Sequence, residues 1–245
     1  TGGIGESESG GYWGPYLKMC GFDAVVVKGK ASGLVYLVVE DGKARIEDAA
    51  DCIDMDTKEF QDKMHEQYSK SKVIQIGPAG IKQGLLANIT NDLSFFNGRN
   101  GLGAVMGSKN LRGIVAAPSK TRVDVPDKET LTKTAKQIAS RVKENPMSKA
   151  LNDLGTAAGV VAVNAGGSLP TRNWQDCQFD EAENLGGENL RDHYLQKRHG
   201  CFGCAIRCKR VVKISQNNID VDPAFGGPEY ESLGTLGSMC GVGDM

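Results

Sequence analysis

Leu34-Val-Tyr-Leu-Val-Val-Glu40, Asp41-Gly42 and Lys43-Ala-Arg-Ile-Glu47 are consecutive, and their order is that of a β-hairpin. Apolar and β-branched side chains suit a pleated, half-buried surface, and Asp-Gly supplies the two positive φ angles of a tight turn whose twist matches the strands it joins. On either side of the hairpin, Phe22-Asp-Ala-Val-Val-Val-Lys28 is a β-branched run that predicts a strand, as do Val73-Ile-Gln-Ile76 and Gly113-Ile-Val-Ala-Ala117. Between them Asp56-Thr57 offers side-chain oxygens to the free first-turn N–H groups of a helix running to about Lys70, with Phe60 and Met64 one turn apart. The first half therefore reads as strands and turns.

Past Pro118 the pattern changes. Pro126-Asp-Lys-Glu129 opens a polar helix whose apolar positions Leu131, Ala135, Ile138 and Val142 recur at three and four residues, ending before Pro146. Further helices are expected over Gly155 to Ala165, over Glu188 to Lys197, and from Pro228, whose missing N–H costs nothing at a helix start. The expected class is α+β: a β-rich domain over 1–121 followed by a mainly helical domain over 122–245, with no internal repeat.

Composition narrows the function. Glycine is 32 of 245 residues, about twice the usual ~7% share. A formal charge of −1 with no long basic run argues against a nucleic-acid binder, which needs concentrated Lys and Arg to meet phosphates. The longest apolar stretch, around Ala157 to Ala165, is about half of the ~18 residues that cross a bilayer, so no membrane association is expected. Seven cysteines is an odd number, and three of them crowd into eight positions while Cys20, Cys52, Cys177 and Cys240 stand alone. This is not the usage of a secreted disulfide scaffold, and a reducing cytoplasmic compartment is expected. Thr1 opens no charged-then-apolar signal, and Gly243-Asp244-Met245 carries no helix stop, so the chain is expected to be a piece of a longer polypeptide.

Three segments can carry chemistry. Cys201-Phe-Gly-Cys204-Ala-Ile-Arg-Cys208 places three thiols where a metal or cluster could draw them to one centre. A structural zinc wants four ligands, and His199 or Cys240 would have to complete it; an iron–sulfur cluster also needs a fourth. From His193 to Lys213 there is no acid, while Lys197, Arg198, Arg207, Lys209, Arg210 and Lys213 are cationic. That charge would stabilise thiolates, raise a cluster's potential and attract an acidic carrier, or else be the solvated face of a helix. The second segment is Asn97-Gly-Arg-Asn-Gly-Leu-Gly-Ala-Val-Met-Gly107-Ser-Lys109. Its glycines allow backbone N–H groups to approach a phosphate, with Arg99 and Lys109 adding charge, or they make a tight structural turn; the P-loop ending is lacking and the dinucleotide spacing is missed by one residue. Gly10-Gly-Tyr-Trp-Gly14 is a similar loop whose aromatics suit a core or the wall of a flat cofactor. The third, Gly226-Gly-Pro-Glu-Tyr-Glu231, puts two carboxylates at a helix start, where the macrodipole favours them or where one could shuttle a proton.

Taken together, Ser9-Gly-Gly-Tyr-Trp-Gly-Pro-Tyr-Leu-Lys-Met-Cys-Gly-Phe-Asp23, Gly98-Arg-Asn-Gly-Leu-Gly-Ala-Val-Met-Gly-Ser-Lys-Asn-Leu111, the cysteine run and Gly227-Pro-Glu-Tyr-Glu-Ser232 resemble the tungsten-dependent aldehyde ferredoxin oxidoreductases, in order along nearly the whole chain. The resemblance implies a β-rich base for a tungsten (or molybdenum) held by two pyranopterins, closed over by helical domains. It implies that Cys201, Cys204 and Cys208 are three of four ligands of a [4Fe–4S] cluster, and that Glu231 is the catalytic carboxylate near the metal. Ser9, Gly10, Gly11, Phe96, Gly98, Arg99, Gly101 and Gly103 would contact the cofactor, the stretch Phe95 to Gly101 meeting the pterin phosphates and their bridging Mg2+. An aldehyde would be oxidised to a carboxylate, with electrons passed to ferredoxin or a similar carrier; a homodimer is among the assemblies the resemblance allows. These 245 residues would be inactive alone, because they hold only part of each site. Two positions depart from the family pattern. Glu8 stands where many relatives have Asn, and Phe95 where they have an Arg, and an aromatic ring cannot make charge-assisted phosphate bonds. They motivate an alternative, a scaffold that has lost the metal–pterin and keeps the cluster; a third reading is a zinc-stabilised nucleotide-binding protein.

Overall fold

The computed structural model describes residues 2–120, 122–216 and 218–244. The chain is α+β and forms two compact units, Thr1–Val125 and Pro126–Met245. The boundary anticipated near residue 121 falls on Thr121, which lies outside the described residues, as do the chain ends Thr1 and Met245.

In the first unit the elements are α1 (Trp13–Met19), β1 (Val35–Glu40), β2 (Lys43–Asp48), α2 (Thr57–Gln67), β3 (Lys72–Gln75), α3 (Pro78–Ile81), β4 (Ile89–Asn91), β5 (Phe95–Asn97), α4 (Leu102–Ser108) and β6 (Leu111–Ala116). Six strands make one mixed sheet in the order β2-β1-β6-β3-β4-β5. The β1–β2 hairpin closes on Asp41 (φ 45°) and Gly42 (φ 76°), in antiparallel register from Glu40↔Lys43 to Val35↔Asp48. β1 then pairs parallel to β6, whose other edge takes β3 antiparallel.

Side chains alternate across the pleat, so β1 and β6 feed two cores. Tyr36, Val38, Val73 and Val115 pack on one face with Phe60 and Met64 of α2. Val39, Ile114 and Ala116 pack on the other with Leu17 of α1 and Met106 of α4. Phe60 and Met64 are the pair that the helix pattern put one turn apart. Both are fully buried, and Asp56 with Glu59 forms a reciprocal capping box that starts the helix.

Residues 22–28 do not form the expected strand. Phe22 N–H donates to Leu17 O at the end of α1 and Lys18 pairs with Asp23, so the run opens as the exit from a helix. Val25 rests on the core while Val26 is 78% exposed; β-branching alone did not provide a neighbour to pair with.

The second unit comprises α5 (Lys128–Glu144), α6 (Pro146–Leu154), α7 (Gly159–Ala165), α8 (Gly187–His193), β7 (Leu195–His199), β8 (Lys209–Val212), β9 (Ile214–Gln216), β10 (Ile219–Val221) and α9 (Tyr230–Ser232), the last running on into a π-helical turn, Leu233–Gly237. Its core is Ala157, Val160, Leu169, Phe179, Ala182, Leu185 and Leu233. Asp127 and Asn145 cap α5 and α6. Three expectations are corrected. The helix over 155–165 begins at Gly159, because Gly155 (φ 70°) ends α6 and a 3-10 turn intervenes. The helix over 188–197 stops at His193, and the chain continues as β7 because Leu195 to His199 finds a ladder in β8. The helix expected from Pro228 begins at Tyr230, with Glu229 extended as its N-cap.

Candidate functional site

The glycine-rich loop packs closely on the backbone of residues 80–88. β5 precedes it, and Gly101 (φ 61°) is the N-cap of α4. A Cβ on Gly101 would lie 2.2 Å from Leu85 O, one on Gly103 2.4 Å from Asn88 O, and one on Gly107 1.9 Å from Gly80 O. Three of the glycines are thus dictated by backbone approach to residues 80–88, which the sequence pattern does not reveal. Gly98 differs, since nothing stands within 4 Å of its missing Cβ.

The structure brings the two glycine segments together by means that sequence reasoning missed. Asn91 Nδ2 donates to Gly10 O (2.6 Å), Asn97 Nδ2 to Ser7 O (2.7 Å), Asn100 Nδ2 to Glu6 O, and Arg99 N–H to Ser7 Oγ (3.1 Å). These asparagines strap residues 6–10 along β4, β5 and the loop, with Glu6 and Ser7 against residues 97–100 and Gly10 and Gly11 against Asn91 and Phe95. Gly11 is buried against Asn91 and Phe95. Asn91 is buried, and its Oδ1 has no hydrogen-bond partner. The spacing of these side chains (91, 97, 100) follows no helix or strand, which is why only the three-dimensional structure discloses them.

Donors suited to an anion remain on this surface. Arg99 is exposed, with no bond from its guanidinium among the described residues, Gly98 leaves open space, and Ser9 hydroxyl turns to Gly10 O. Phe96 is 45% exposed, while Phe95 is 3% exposed and meets Tyr12 edge-on at 6.5 Å between ring centres. Phe95 therefore serves the core. Glu8 is exposed. Trp13 is also core, its Nε1–H donating to Ile114 O at 3.0 Å. The donor set fits a phosphate at Arg99 and the neighbouring backbone and does not fit one at Phe95.

In the second unit Cys201, Cys204 and Cys208 share the loop that joins β7 to β8 and are half-buried. Cys204 N–H donates to Cys201 O (3.1 Å), Gly203 (φ 68°) and Arg207 (φ 55°) turn the chain, and Gly200 packs on Arg207. Burial pushes the Cys208 thiol up, and the nearby charges of Glu229, Cys201 and Cys204 push it further. Among the described residues no three or more His, Cys, Asp or Glu side chains are grouped so that they could hold a metal ion. The three soft donors, close in sequence, nonetheless fit iron–sulfur or zinc in kind. The basic run lies on the β7–β8 hairpin and its loop, so the alternative of a solvated helix face does not apply.

That loop is held to the end of α6. Arg210, fully buried, donates to Asp153 O (2.8 Å), Asn152 O (3.0 Å) and Arg207 O (2.8 Å). Asn152 Nδ2 reaches Ile206 O (2.5 Å), and Arg198 binds Asn152 Oδ1 (2.8 Å) and Asp153 Oδ1 (2.6 Å). Lys209 pairs with Glu229 at 2.5 Å, tying the hairpin to the segment that carries Glu231. Glu231 is exposed on the first turn of α9. It borders a cavity of about 460 Å3 lined by Met147, Leu151, Ala158, Val163 and Tyr230, so an apolar group could lie beside its carboxylate.

A family model described as aldehyde ferredoxin oxidoreductase, N-terminal domain, matches residues 1–118, and one described as aldehyde ferredoxin oxidoreductase, domains 2 and 3, matches residues 133–245. The chain belongs to the aldehyde ferredoxin oxidoreductase family. It is similar to the tungsten-containing aldehyde ferredoxin oxidoreductase of Pyrococcus abyssi, 36% identical over 251 residues, an alignment covering 100% of this chain and 40% of that protein. The aliphatic sulfonate oxidoreductase, WOR-like subunit, of Pyrococcus furiosus is 28% identical over 92% of this chain and 38% of its own length. Among solved structures the active-site complex of benzoyl coenzyme A reductase with 1,5-dienoyl-CoA aligns with TM-score 0.68 and 25% identity, covering 86% of this chain and 34% of that one. The chain thus spans about 40% of the length of the family relatives it matches, and the family is one of oxidoreductases. No helix among the described residues is long and apolar enough to cross a membrane.

Proposed function

We propose that this chain supplies the cofactor base and the iron–sulfur loop of an oxidoreductase that converts an aldehyde to a carboxylic acid at a tungsten or molybdenum bis-pyranopterin. The observation that carries this reading is the single hairpin loop bearing Cys201, Cys204 and Cys208 in a cationic setting, within a chain of this family. When bound, the metal–pterin and a [4Fe–4S] cluster supply two-electron oxidation of the substrate and one-electron delivery to a ferredoxin-type carrier. The protein's own part is to hold and orient. Arg99 and the open backbone at Gly98 would bind pterin phosphate, with Ser9, Gly10, Gly11, Phe96, Gly101 and Gly103 forming the surrounding surface, and residues 95–101 would hold the Mg2+ that accompanies the phosphates. Cys201, Cys204 and Cys208 provide three thiolates. Water and aldehyde yield the acid, two electrons and two protons, and the Glu231 carboxylate accepts one of those protons beside its apolar cavity. The reaction belongs in the cytoplasm, where thiols stay reduced.

The full-length protein prepared without oxygen tests this by elemental analysis, with iron, sulfide and roughly one tungsten or molybdenum per chain expected. In the same material Glu231→Gln should lower turnover of a small aldehyde by about 10²–10⁴-fold with metal content unchanged; full turnover in that variant removes Glu231 from the mechanism. Iron without a group-6 metal would select the second reading, a scaffold that keeps only the cluster, which the burial of Phe95 against Tyr12 in place of a phosphate-binding cation favours. Zinc without iron would overturn both.

A further inference from the structure

A guanidinium that is 2% exposed normally meets a carboxylate, because an unpaired buried charge is costly. Arg210 does not. Its bonds go to the carbonyls of Asn152, Asp153 and Arg207, and its Nε has no partner. Two of those carbonyls end α6, where the helix dipole is negative, so the arginine's charge is met by carbonyl dipoles and by no carboxylate.

The first unit contains a useful contrast. Arg112 is likewise buried and bonded to carbonyls and an amide, but it lies over the Phe60 ring at 4.4 Å, whose π face supplies the missing negative potential. Among the described residues no ring covers Arg210. What lies near it is Cys208, at the end of the loop two residues before it: a Cβ on Gly155 would meet the Cys208 carbonyl O at 3.0 Å and the Arg210 side chain at 3.1 Å. The local acids are already engaged, Asp153 with Arg191 and Arg198, and Glu229 with Lys209.

We infer that Arg210 is the resident counter-ion of the three-thiolate loop and a positioning residue for it: it pins the loop backbone to the end of α6 and holds a positive charge beside the site, raising the reduction potential of the cluster bound there. This rests on the iron–sulfur reading above. A positive charge close to a cluster stabilises the reduced, more negative state, so the signs of the consequences are fixed. Removing the Arg210 charge must lower the potential, and removing the Asp153 charge, with Asp153 half exposed, must raise it.

The test uses the full-length protein purified anaerobically, with iron content, the electron paramagnetic resonance signal of the reduced cluster and its midpoint potential read together. Arg210→Gln, which keeps a donor and loses the charge, should shift the potential to a more negative value. Arg210→Lys should restore it toward wild type, a rescue that loss of packing alone would not give. Asp153→Asn should shift it the other way. An unchanged potential in Arg210→Gln with full iron overturns the inference, as does an unchanged potential in Asp153→Asn, which decides the matter if the Arg210 variant does not fold. Wild-type protein without iron or a resonance signal would instead sink the iron–sulfur reading itself.

Discussion

At the level of single residues, the glycine-rich loop separates into two kinds of glycine that look alike in the sequence. Gly107 would place a Cβ 1.9 Å from a backbone oxygen, Gly80 O, and backbone on both sides cannot step aside. Gly107→Ala should therefore destabilise the protein by about 3 kcal/mol or more, the upper end of overpacking costs, measurable as a lower midpoint in urea. Gly98→Ala meets nothing within 4 Å and should leave the midpoint within about 0.5 kcal/mol of wild type. If Gly98→Ala also leaves the pterin content of the purified full-length protein untouched, the open face at Gly98 is not part of the phosphate site. From the residues alone a phosphate cradle and a tight turn were equally good accounts. The deciding neighbours, Gly80, Leu85 and Asn88, arrive by tertiary packing that no local pattern encodes.

Among the helices and strands, what was legible was what is local. The hairpin over 34–47 needed only Asp41-Gly42 and two apolar runs, and α2 only a cap and two apolar positions a turn apart. The cap yields its own prediction. Asp56 Oδ1 accepts from Glu59 N–H at 2.8 Å while Glu59 Oε2 accepts from Asp56 N–H at 2.8 Å. Asp56→Ala should thus cost about 1 kcal/mol, seen as a drop in the thermal midpoint; no drop would mean that burial of Phe60 and Met64 alone fixes the start of α2. Where pairing with a distant segment decides, the pattern misled. Leu195 to His199 lies beyond α8 because β8, on the far side of the cysteine loop, offers a ladder, whereas residues 22–28 have the composition of a strand and pair with no neighbouring strand. The candidate site was legible in the same uneven way. The cysteines, Arg99 and Glu231 announce themselves by spacing or charge, while Asn91, Asn97, Asn100, Asn152 and Arg210 matter through bonds to carbonyls far along the chain.

Across the full chain, the seven cysteines sort by surroundings into sets that chemistry can count. Cys20 and Cys52 are fully buried: Cys20 donates to Val39 O and its thiol is pushed up to about 11 by burial, while Cys52 is pushed up by burial and by its hydrogen bond to Asp51. A raised thiol withholds thiolate, the reactive form, so both should resist alkylation until the protein unfolds. Cys177 and Cys240 are exposed and open to the reagent. Cys201, Cys204 and Cys208 are half-buried on one loop, and burial is too slight there to protect all three by itself. If they hold a cluster, they should be inert in full-length protein kept anaerobic and become reactive together once a chelator strips the iron, with Cys20 and Cys52 still silent. Peptide mapping of the alkylated residues before and after chelation reads this directly. Three loop thiols that alkylate at the same rate in both states are not ligands, and the cationic hairpin around them would then be a surface for a partner rather than the setting of a redox centre.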